Sequence, residues 1–414
     1  MVFCRPSRIF LIPVDILPES ALPTRLAATE IPFVNDSEST LNADPKPNEQ
    51  LQSHYLELLG RRSAKWASER AFVRKLGTGG QGCVMLSERR GAASFRIPVA
   101  MKFFSPAAFE SSRSYEREMR RMAEVASLVA RIQEDNLVTV HAFEVDEGIY
   151  MLEMEWVDGQ DLLHMLRRES LDQIRRSVDS ERRGWLDDRI VTEGALNCRL
   201  RPGMAVAILR ECLGGISALH RGGIVHCDLK PSNIMVKRTG QVKIIDIGSA
   251  FWVGRPPQGQ PCTLEYAAPE VLTGYRATPQ SDLASLGYML IEMLSGARPF
   301  ASLSFDQLVQ TKMHLLEQLP RMLPLEEFQH SESLIRLLRG LVHPDPTKRF
   351  ATAEDAHLSD EGVAGLLRNL VKSDLSVEYD VELRRWMSEL EMDAGVQRPT
   401  AISNGTTRII PVAE

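Results

Sequence analysis

The spacing of apolar residues changes once along this chain, near Gly159, and the change limits the folds that it can adopt. Before it, short runs such as VAMKFF and LVTVHAFEV have the character of β-strands. After it, segments such as MAVAILRECLGGISALH and SDLASLGYMLIEMLSG carry apolar residues at helical spacing. We therefore predict an α+β fold in which a small β-rich lobe precedes a larger, mostly helical lobe.

The two ends of the chain lack this regularity. Residues 1–54 are rich in Pro, Ser, Asn and Asp without a sustained period, so we predict a flexible extension that gives way to a short helix at Tyr55. Within residues 373–414, the stretch VEYDVELRRWMSELEMD predicts an added amphipathic helix, followed by a disordered tail.

Composition and charge narrow the class of protein. The net charge of -6 provides no basic field for nucleic acid or anionic lipid. No uninterrupted apolar run approaches the roughly 18 residues that a membrane helix needs. The six cysteines show no metal-ligand spacing, which indicates free thiols in a reducing compartment. We expect a cytoplasmic protein that binds no nucleic acid and has no membrane span, and the oligomeric state stays open.

The stretch KLGTGGQGCVML carries the first motif with chemical meaning. Gly77, Gly79 and Gly82 fit G-x-G-x-x-G, a spacing that lets backbone N–H groups approach phosphate oxygens. Dinucleotide-binding folds and ordinary hairpins use the same spacing. Here the motif lies between two strand-like runs, and the following VAMK places Lys102 on the next strand, beside Ala100. A lysine among apolar neighbours needs an anionic partner.

The helix SYEREMRRMAEVASLVARI is expected to supply that partner. Glu118 shares the apolar face of this helix, which would dock on the sheet, so we favour it as the partner of Lys102. Glu116 and Glu124 remain alternatives, because glutamates on helices are usually solvated.

Two later segments, IVHCDLKPSNIMV and VKIIDIGSA, complete a chemical set. Asp228, Lys230 and Asn233 fall in a turn between apolar strands, and Asp246 ends the run VKII. A single aspartate at a strand end is often a cap, but this combination rarely arises by chance. Phosphoryl transfer needs a carboxylate to accept the hydroxyl proton, oxygen ligands for Mg²⁺ and a cation near the transferred group.

Residues from about 70 to 372 resemble a eukaryotic-type Ser/Thr protein kinase domain, of the sort also found in bacteria. The resemblance implies a small lobe over 70–157 and a large lobe over 158–372. It also implies ATP and Mg²⁺ as cofactors, protein substrates, and transfer of the γ-phosphate to protein hydroxyls.

The resemblance assigns a role to each motif residue. Asp228 would be the catalytic base and Lys230 would steady the γ-phosphate. Lys102 would hold the α- and β-phosphates and pair with Glu118. The residues implied around the nucleotide, including the 154–157 hinge, are Gly77, Gly79, Gly82, Val84, Ala100, Lys102, Glu155 and Val157. The residues implied in binding Mg²⁺ are Asn233 and Asp246.

Two departures from the family pattern carry further expectations. Cys227 replaces the Arg of HRD and has no positive charge to pair with a phosphate. Residues 250–262 contain no Ser, Thr or Tyr. We therefore predict a non-RD kinase that does not need activation-loop phosphorylation. The stretch 166–201 is longer than usual for the family, so we expect a solvated helical insert or a docking element.

Substrate class and thiol chemistry leave alternatives open. Lys230 in DLKPSN and Thr263 in TLEYAAPE match the Ser/Thr pattern, and Thr263 is counted among the catalytic residues. A small-molecule phosphotransferase of the same fold, or a pseudokinase scaffold, would be the alternatives.

Cys83, Cys227 and Cys262 are expected near the cleft, where cations can lower thiol pKa values, although we favour inert small side chains.

Overall fold

The elements of the first part of the chain are mainly strands, and those of the second part are mainly helices, in the order that the apolar spacing predicts. The protein is described by a computed structural model that covers residues 47–61, 63–65, 69–323, 331–372, 379–392 and 407–411. The predicted flexibility of residues 1–46 lies outside this range.

The small lobe is a six-stranded antiparallel sheet with the strand order β1-β2-β3-β4-β6-β5. Two helices accompany it, α1 (Pro47–Gly60) and α2 (Ser112–Val129). The strands are β1 (Ser63–Lys65), β2 (Glu69–Gly79), β3 (Gly82–Arg90), β4 (Arg96–Phe104), β5 (Val140–Asp146) and β6 (Ile149–Glu155).

Helix α1 corrects the predicted boundary at residue 54. The helix begins at Pro47, whose fixed φ suits a first helical turn. Tyr55 and Leu58 on α1 are buried, and they form an apolar cluster on the outer face of the sheet. The sheet residues in this cluster are Cys83, Met85, Val99, Met101, Phe103, Ile149 and Met151. The predicted flexible extension therefore reaches too far along the chain, because residues 47–54 form a helix that packs on the sheet.

The large lobe is mostly helical. Its helices are α3 (Leu162–Met165), α4 (Arg168–Ser177), α5 (Ser180–Arg189), α6 (Pro202–Arg221), α7 (Pro269–Leu272), α8 (Pro279–Ser295), α9 (Phe305–Met313), α10 (Leu315–Met322), α11 (Glu332–Val342), α12 (Ala353–Leu358), α13 (Val363–Lys372) and α14 (Tyr379–Met392). Its strands are β7 (Gly159–Asp161), β8 (Val191–Glu193), β9 (Cys198–Leu200), β10 (Ile224–Val225), β11 (Ile234–Lys237), β12 (Val242–Ile244), β13 (Phe251–Trp252), β14 (Gly259–Thr263) and β15 (Thr407–Pro411).

Helix α6 lies at the centre of the large lobe. By length and composition it is apolar enough to cross a membrane, although Arg210 and Glu211 interrupt its apolar run. However, 78% of its apolar window is buried inside the protein, as in a core helix. Helices α8 and α12 and the strand β12 pack against this apolar surface.

The insert over 166–201 is not the solvated segment that its charges predict. It contains α4, α5 and the β8–β9 hairpin, and it buries Leu171 and Ile174. Helix α14 packs against α4, and the guanidinium of Arg182 pairs with Glu382 and Glu389 of α14, both at 2.7 Å. The insert therefore binds helix α14 of its own chain, which removes the apolar face of α4 from water.

Candidate active site

The carboxylate of Asp228 belongs to a hydrogen-bonded unit of three side chains. Lys230 Nζ donates to Asp228 Oδ2 at 2.8 Å, and Thr263 Oγ1 donates to Asp228 Oδ1 at 2.7 Å. Lys230 Nζ also donates to Thr263 Oγ1 at 2.9 Å. All three residues are buried. The structure thus brings the hydroxyl of Thr263 to a carboxylate and an ammonium group that lie 35 and 33 residues earlier in the sequence.

Asp282 of α8 fixes the backbone that carries this unit. Its carboxylate accepts hydrogen bonds from the backbone N–H groups of His226 and Cys227, at 2.8 and 2.9 Å, and from the ring of His220 at 2.9 Å. Cys227 has a φ of 66°, a left-handed conformation that is uncommon for residues other than Gly. The two N–H bonds to Asp282 therefore hold a strained turn immediately before Asp228.

The register of the small-lobe sheet aligns the predicted nucleotide residues. Val84 on β3 pairs with Gly77 on β2 and with Lys102 on β4. Ala100, two residues before Lys102, pairs with Met154 on β6. Because paired residues share a face of a sheet, these side chains lie on the face that looks toward the large lobe.

Gly82 begins β3, directly after the turn of the glycine motif. Its φ is 141°, and a Cβ atom there would lie 1.9 Å from the carbonyl oxygen of Phe103. Only Gly fits this close approach of β3 to β4. The motif is therefore a tight hairpin, and Gly79 pairs with Gly82 across it.

Lys102 reaches across the cleft. Its Nζ donates to Asp246 Oδ1 at 2.8 Å and to Gln81 Oε1 at 2.7 Å. Burial tends to raise the pKa of Asp246, but the charge and hydrogen bond of Lys102 outweigh burial and hold that pKa at about 2. Gln81 also donates to Ser249 Oγ at 3.2 Å. Sequence reasoning missed Gln81, since nothing about a polar residue in a glycine-rich turn predicts its contact with Lys102.

The predicted pair between Lys102 and Glu118 is wrong for this structure. Glu118 lies on the predicted helix face, but Arg121, one turn later on α2, contacts both of its carboxylate oxygens at 2.5 to 3.0 Å. Arg121 also donates to the carbonyl oxygen of Ala250 at 2.7 Å. A planar guanidinium on the same helix satisfies Glu118 locally, while Asp246 satisfies Lys102.

Neither of the alternative glutamates pairs with Lys102. Glu116 is exposed on the surface of α2. Glu124 is also exposed, and its carboxylate pairs with Arg255. The partner of Lys102 comes instead from the large lobe.

The predicted hinge follows the end of β6. Glu155 donates its backbone N–H to the carbonyl oxygen of Thr139 at 2.9 Å, and its carboxylate accepts from Lys243 at 2.5 Å. Burial tends to raise the pKa of Glu155, but the hydrogen bonds from Lys243 and Thr139, together with the charge of Lys243, outweigh burial and lower that pKa. Val157 is buried, and in the described part of the chain its backbone makes no hydrogen bond. Val157 therefore keeps a free donor and acceptor at the cleft.

Asn233 and Asp246 offer the oxygen atoms that Mg²⁺ prefers. Asn233 Nδ2 donates to the carbonyl oxygen of Asp228 at 2.7 Å, which leaves its Oδ1 as the available atom. Over the described ranges, Asp246 Oδ2 makes no hydrogen bond, and no group of three or more His, Cys, Asp or Glu residues has the arrangement of a metal site. Two protein oxygens suit Mg²⁺, which usually binds through one or two protein groups together with phosphates and water.

The activation segment, which follows Asp246 and ends at Glu270, is tied to the core of the large lobe. Arg349 contacts both carboxylate oxygens of Glu270 at 2.7 Å. Lys312 is fully buried and donates to the backbone carbonyl oxygens of Leu264, Glu265 and Ala267. The end of the segment is therefore held by contacts that involve no phosphate.

The three cysteines expected near the cleft do not have activated thiols. Cys83 lies in the apolar cluster on the outer face of the small lobe, because its side chain alternates away from that of Val84. Burial raises the pKa of Cys83, raises that of Cys262 to about 12 and raises that of Cys227 well above its usual value. The interpretation of these cysteines as inert small side chains agrees with this environment.

Comparison with known proteins shows which family this chain resembles. The serine/threonine-protein kinase PknD of Mycobacterium tuberculosis is 28% identical over 288 residues, which cover 69% of this chain and 38% of PknD. The serine/threonine-protein kinase pkn3 of Myxococcus xanthus is 29% identical over 323 residues, which cover 69% of this chain and 53% of pkn3. The chain thus spans between about a third and a half of the length of these relatives. The protein kinase domain family matches residues 70–359, well over half of the sequence, and this chain therefore belongs to that family.

Proposed function

We propose that this chain transfers the γ-phosphoryl group of ATP to Ser and Thr hydroxyls of proteins. The observation that carries the proposal is the buried unit of Asp228, Lys230 and Thr263. The names of the matched relatives, which are serine/threonine-protein kinases, support the same substrate class.

Each residue of the cleft has a role in this proposal. Asp228 orients the acceptor hydroxyl and takes its proton, while Lys230 stabilises the charge on the transferred phosphoryl group. Asn233 and Asp246 would hold Mg²⁺ through their free oxygens, and the bound ion would offset the charge of the phosphates. The glycine hairpin presents backbone N–H groups to the phosphates.

Lys102 must change partners for this chemistry. In the structure its ammonium group is occupied by Asp246 and Gln81. We propose that nucleotide phosphates displace Gln81 from Lys102, because a phosphate group carries a full charge and an amide oxygen does not. The glycine hairpin, which carries Gln81, would then close over the nucleotide.

A turnover assay tests the proposed function. The purified chain is incubated with labelled ATP, Mg²⁺ and a generic basic protein, and the labelled amino acids are identified. We expect phosphoserine and phosphothreonine, with a loss on the order of 10²–10⁴ for Asp228→Asn. Asp306→Asn, an exposed carboxylate at the start of α9, is the matched control and should keep wild-type turnover.

The alternatives give different results in the same assay. Near wild-type turnover of Asp228→Asn would show that Asp228 is not the base. Nucleotide binding without turnover would favour a scaffold, and labelling of sugars or aminoglycosides instead of protein would favour a small-molecule phosphotransferase.

We also propose that activity does not require phosphorylation of the activation segment. Gln260 anchors β14, because its side chain donates to the carbonyl oxygen of Tyr275 at 3.0 Å and accepts from the N–H of Ala277. Cys227 has no charge for a phosphate, and residues 250–262 offer no hydroxyl. Phosphatase-treated and untreated enzyme should have equal turnover, with residues 249–267 examined by mass spectrometry. A large loss that tracks a phosphate in this segment would refute the proposal.

A further inference from the structure

Strand β15 is an addition to the activation segment. It pairs antiparallel with β14, and the register runs from Thr407 opposite Thr263 to Pro411 opposite Gly259. These two strands form a sheet of their own. The predicted disordered tail is therefore wrong for these residues, which form a strand paired with β14, whose last residue Thr263 contacts Asp228.

The partner strand is firmly positioned. Gln260 is 1% exposed and bonds the stretch before α8, while Thr263 donates both its backbone N–H and its hydroxyl to Asp228. An extended peptide that adds to such an edge gains backbone hydrogen bonds through groups that every residue except Pro carries in full, as in other cases of β-strand addition. The edge of β14 is therefore suited to bind an extended polypeptide beside the catalytic base.

The register decides which residue of β15 comes next to the base. Paired residues of antiparallel strands have Cα atoms about 4.5–5.5 Å apart. Thr407 is the partner of Thr263, whose hydroxyl is 2.7 Å from Asp228 Oδ1. Arg408 and the residues after it pair with successively earlier positions of β14 and so lie farther from Asp228.

We infer that β15 binds the edge of β14 as a substrate strand and that Thr407 is an autophosphorylation site, modified by its own chain. The inference rests on the proposed kinase function. The Thr407 hydroxyl oxygen forms a bond to the γ-phosphorus of a nucleoside triphosphate as the bond to the β-phosphate oxygen breaks. The hydroxyl proton passes to Asp228, and the nucleoside diphosphate leaves.

The test measures phosphate on Thr407 directly. The full chain is incubated with ATP and Mg²⁺, and fragment-ion mass spectrometry separates Thr407 from its neighbour Thr406. We expect phosphate on Thr407 at a rate per molecule that is constant over a 100-fold range of protein concentration. Thr407→Ala should lose this signal and keep wild-type turnover of a generic protein substrate.

Substitutions in β15 test whether phosphorylation of Thr407 depends on the pairing of β15 with β14. The double change Ile409→Pro and Ile410→Pro removes two consecutive backbone N–H groups, one of which faces β14 in an antiparallel ladder, so it should lower Thr407 phosphorylation at least tenfold. Ala413→Pro, which lies beyond the paired residues, is the matched control and should leave phosphorylation unchanged.

Three results would overturn the inference. An unmodified Thr407 in a preparation that phosphorylates a generic protein would refute it and leave the proposed function standing. A rate per molecule that rises with protein concentration would show that a second copy, and not the same chain, modifies Thr407. Absence of turnover on every substrate would remove the proposed function and this inference with it.

Discussion

Arg121 contacts both carboxylate oxygens of Glu118 along one turn of α2, and the same guanidinium donates to the carbonyl oxygen of Ala250. One side chain thus connects the helix of the small lobe to the segment that follows Asp246. For Lys102 to pair with Glu118, the contact between Glu118 and Arg121 and the contact between Lys102 and Asp246 must both break.

Removing Arg121 should favour that exchange. Arg121→Ala frees Glu118 for Lys102, so we expect kcat/KM to rise about fivefold, as expected for the loss of a competing pair worth ~1 kcal/mol. Arg120→Ala, an exposed neighbour on α2, is the control and should have no effect. Lower activity of Arg121→Ala would show that its contact with Ala250 supports the active arrangement instead.

Asp246 should matter most when Mg²⁺ is present. Asp246→Asn keeps an oxygen but loses the negative charge, so it should weaken nucleotide binding more with Mg²⁺ than with a chelator. Calorimetric titration with ATP in both conditions measures the difference. Equal nucleotide affinities with and without Mg²⁺, in both the wild type and the variant, would remove Asp246 from the metal site.

The buried carboxyl of Glu292 should make stability depend on pH. Burial raises its pKa to about 7, from 4.5, despite the hydrogen bond from Tyr266. The folded state thus favours protonated Glu292, and this stabilisation is full below pH 4.5 and lost as the pH rises through 7. Glu292→Gln should therefore gain stability over wild type between pH 5 and pH 8, by up to about 3 kcal/mol.

Urea unfolding of both proteins at the two pH values measures this gain. Glu317→Gln is the control, since the side chain of Glu317 is 81% exposed. A difference between wild type and Glu292→Gln that does not change with pH would contradict the prediction.

The three cysteines that the sequence predicts near the cleft should resist alkylation. Burial raises the pKa of Cys83, Cys227 and Cys262, and the thiol form is a poor nucleophile. We expect iodoacetamide at pH 7.5 to leave all three unmodified in the folded protein and to modify them in urea. Rapid labelling that bound ATP prevents would show instead that a thiol at the nucleotide site is activated.

The sequence predicted correctly those site residues whose positions depend only on the path of the backbone. Asp228, Lys230 and Thr263 meet because the order of motifs fixes the path of the backbone. The partner of Glu118 was missed because two cations compete for it, and only side-chain geometry decides between Arg121 and Lys102. Strand β15 was missed because TRIIP is too short to indicate a strand without its partner.

Helix α1 has a practical consequence for anyone who cuts this protein to its recognisable domain. The family match begins at residue 70, so a fragment designed on similarity would leave out Pro47–Gly60. The outer face of the sheet, with Met101 and Phe103, would then meet water as a bare apolar surface, a feature that promotes self-association. Expression boundaries for this chain should therefore start before Pro47.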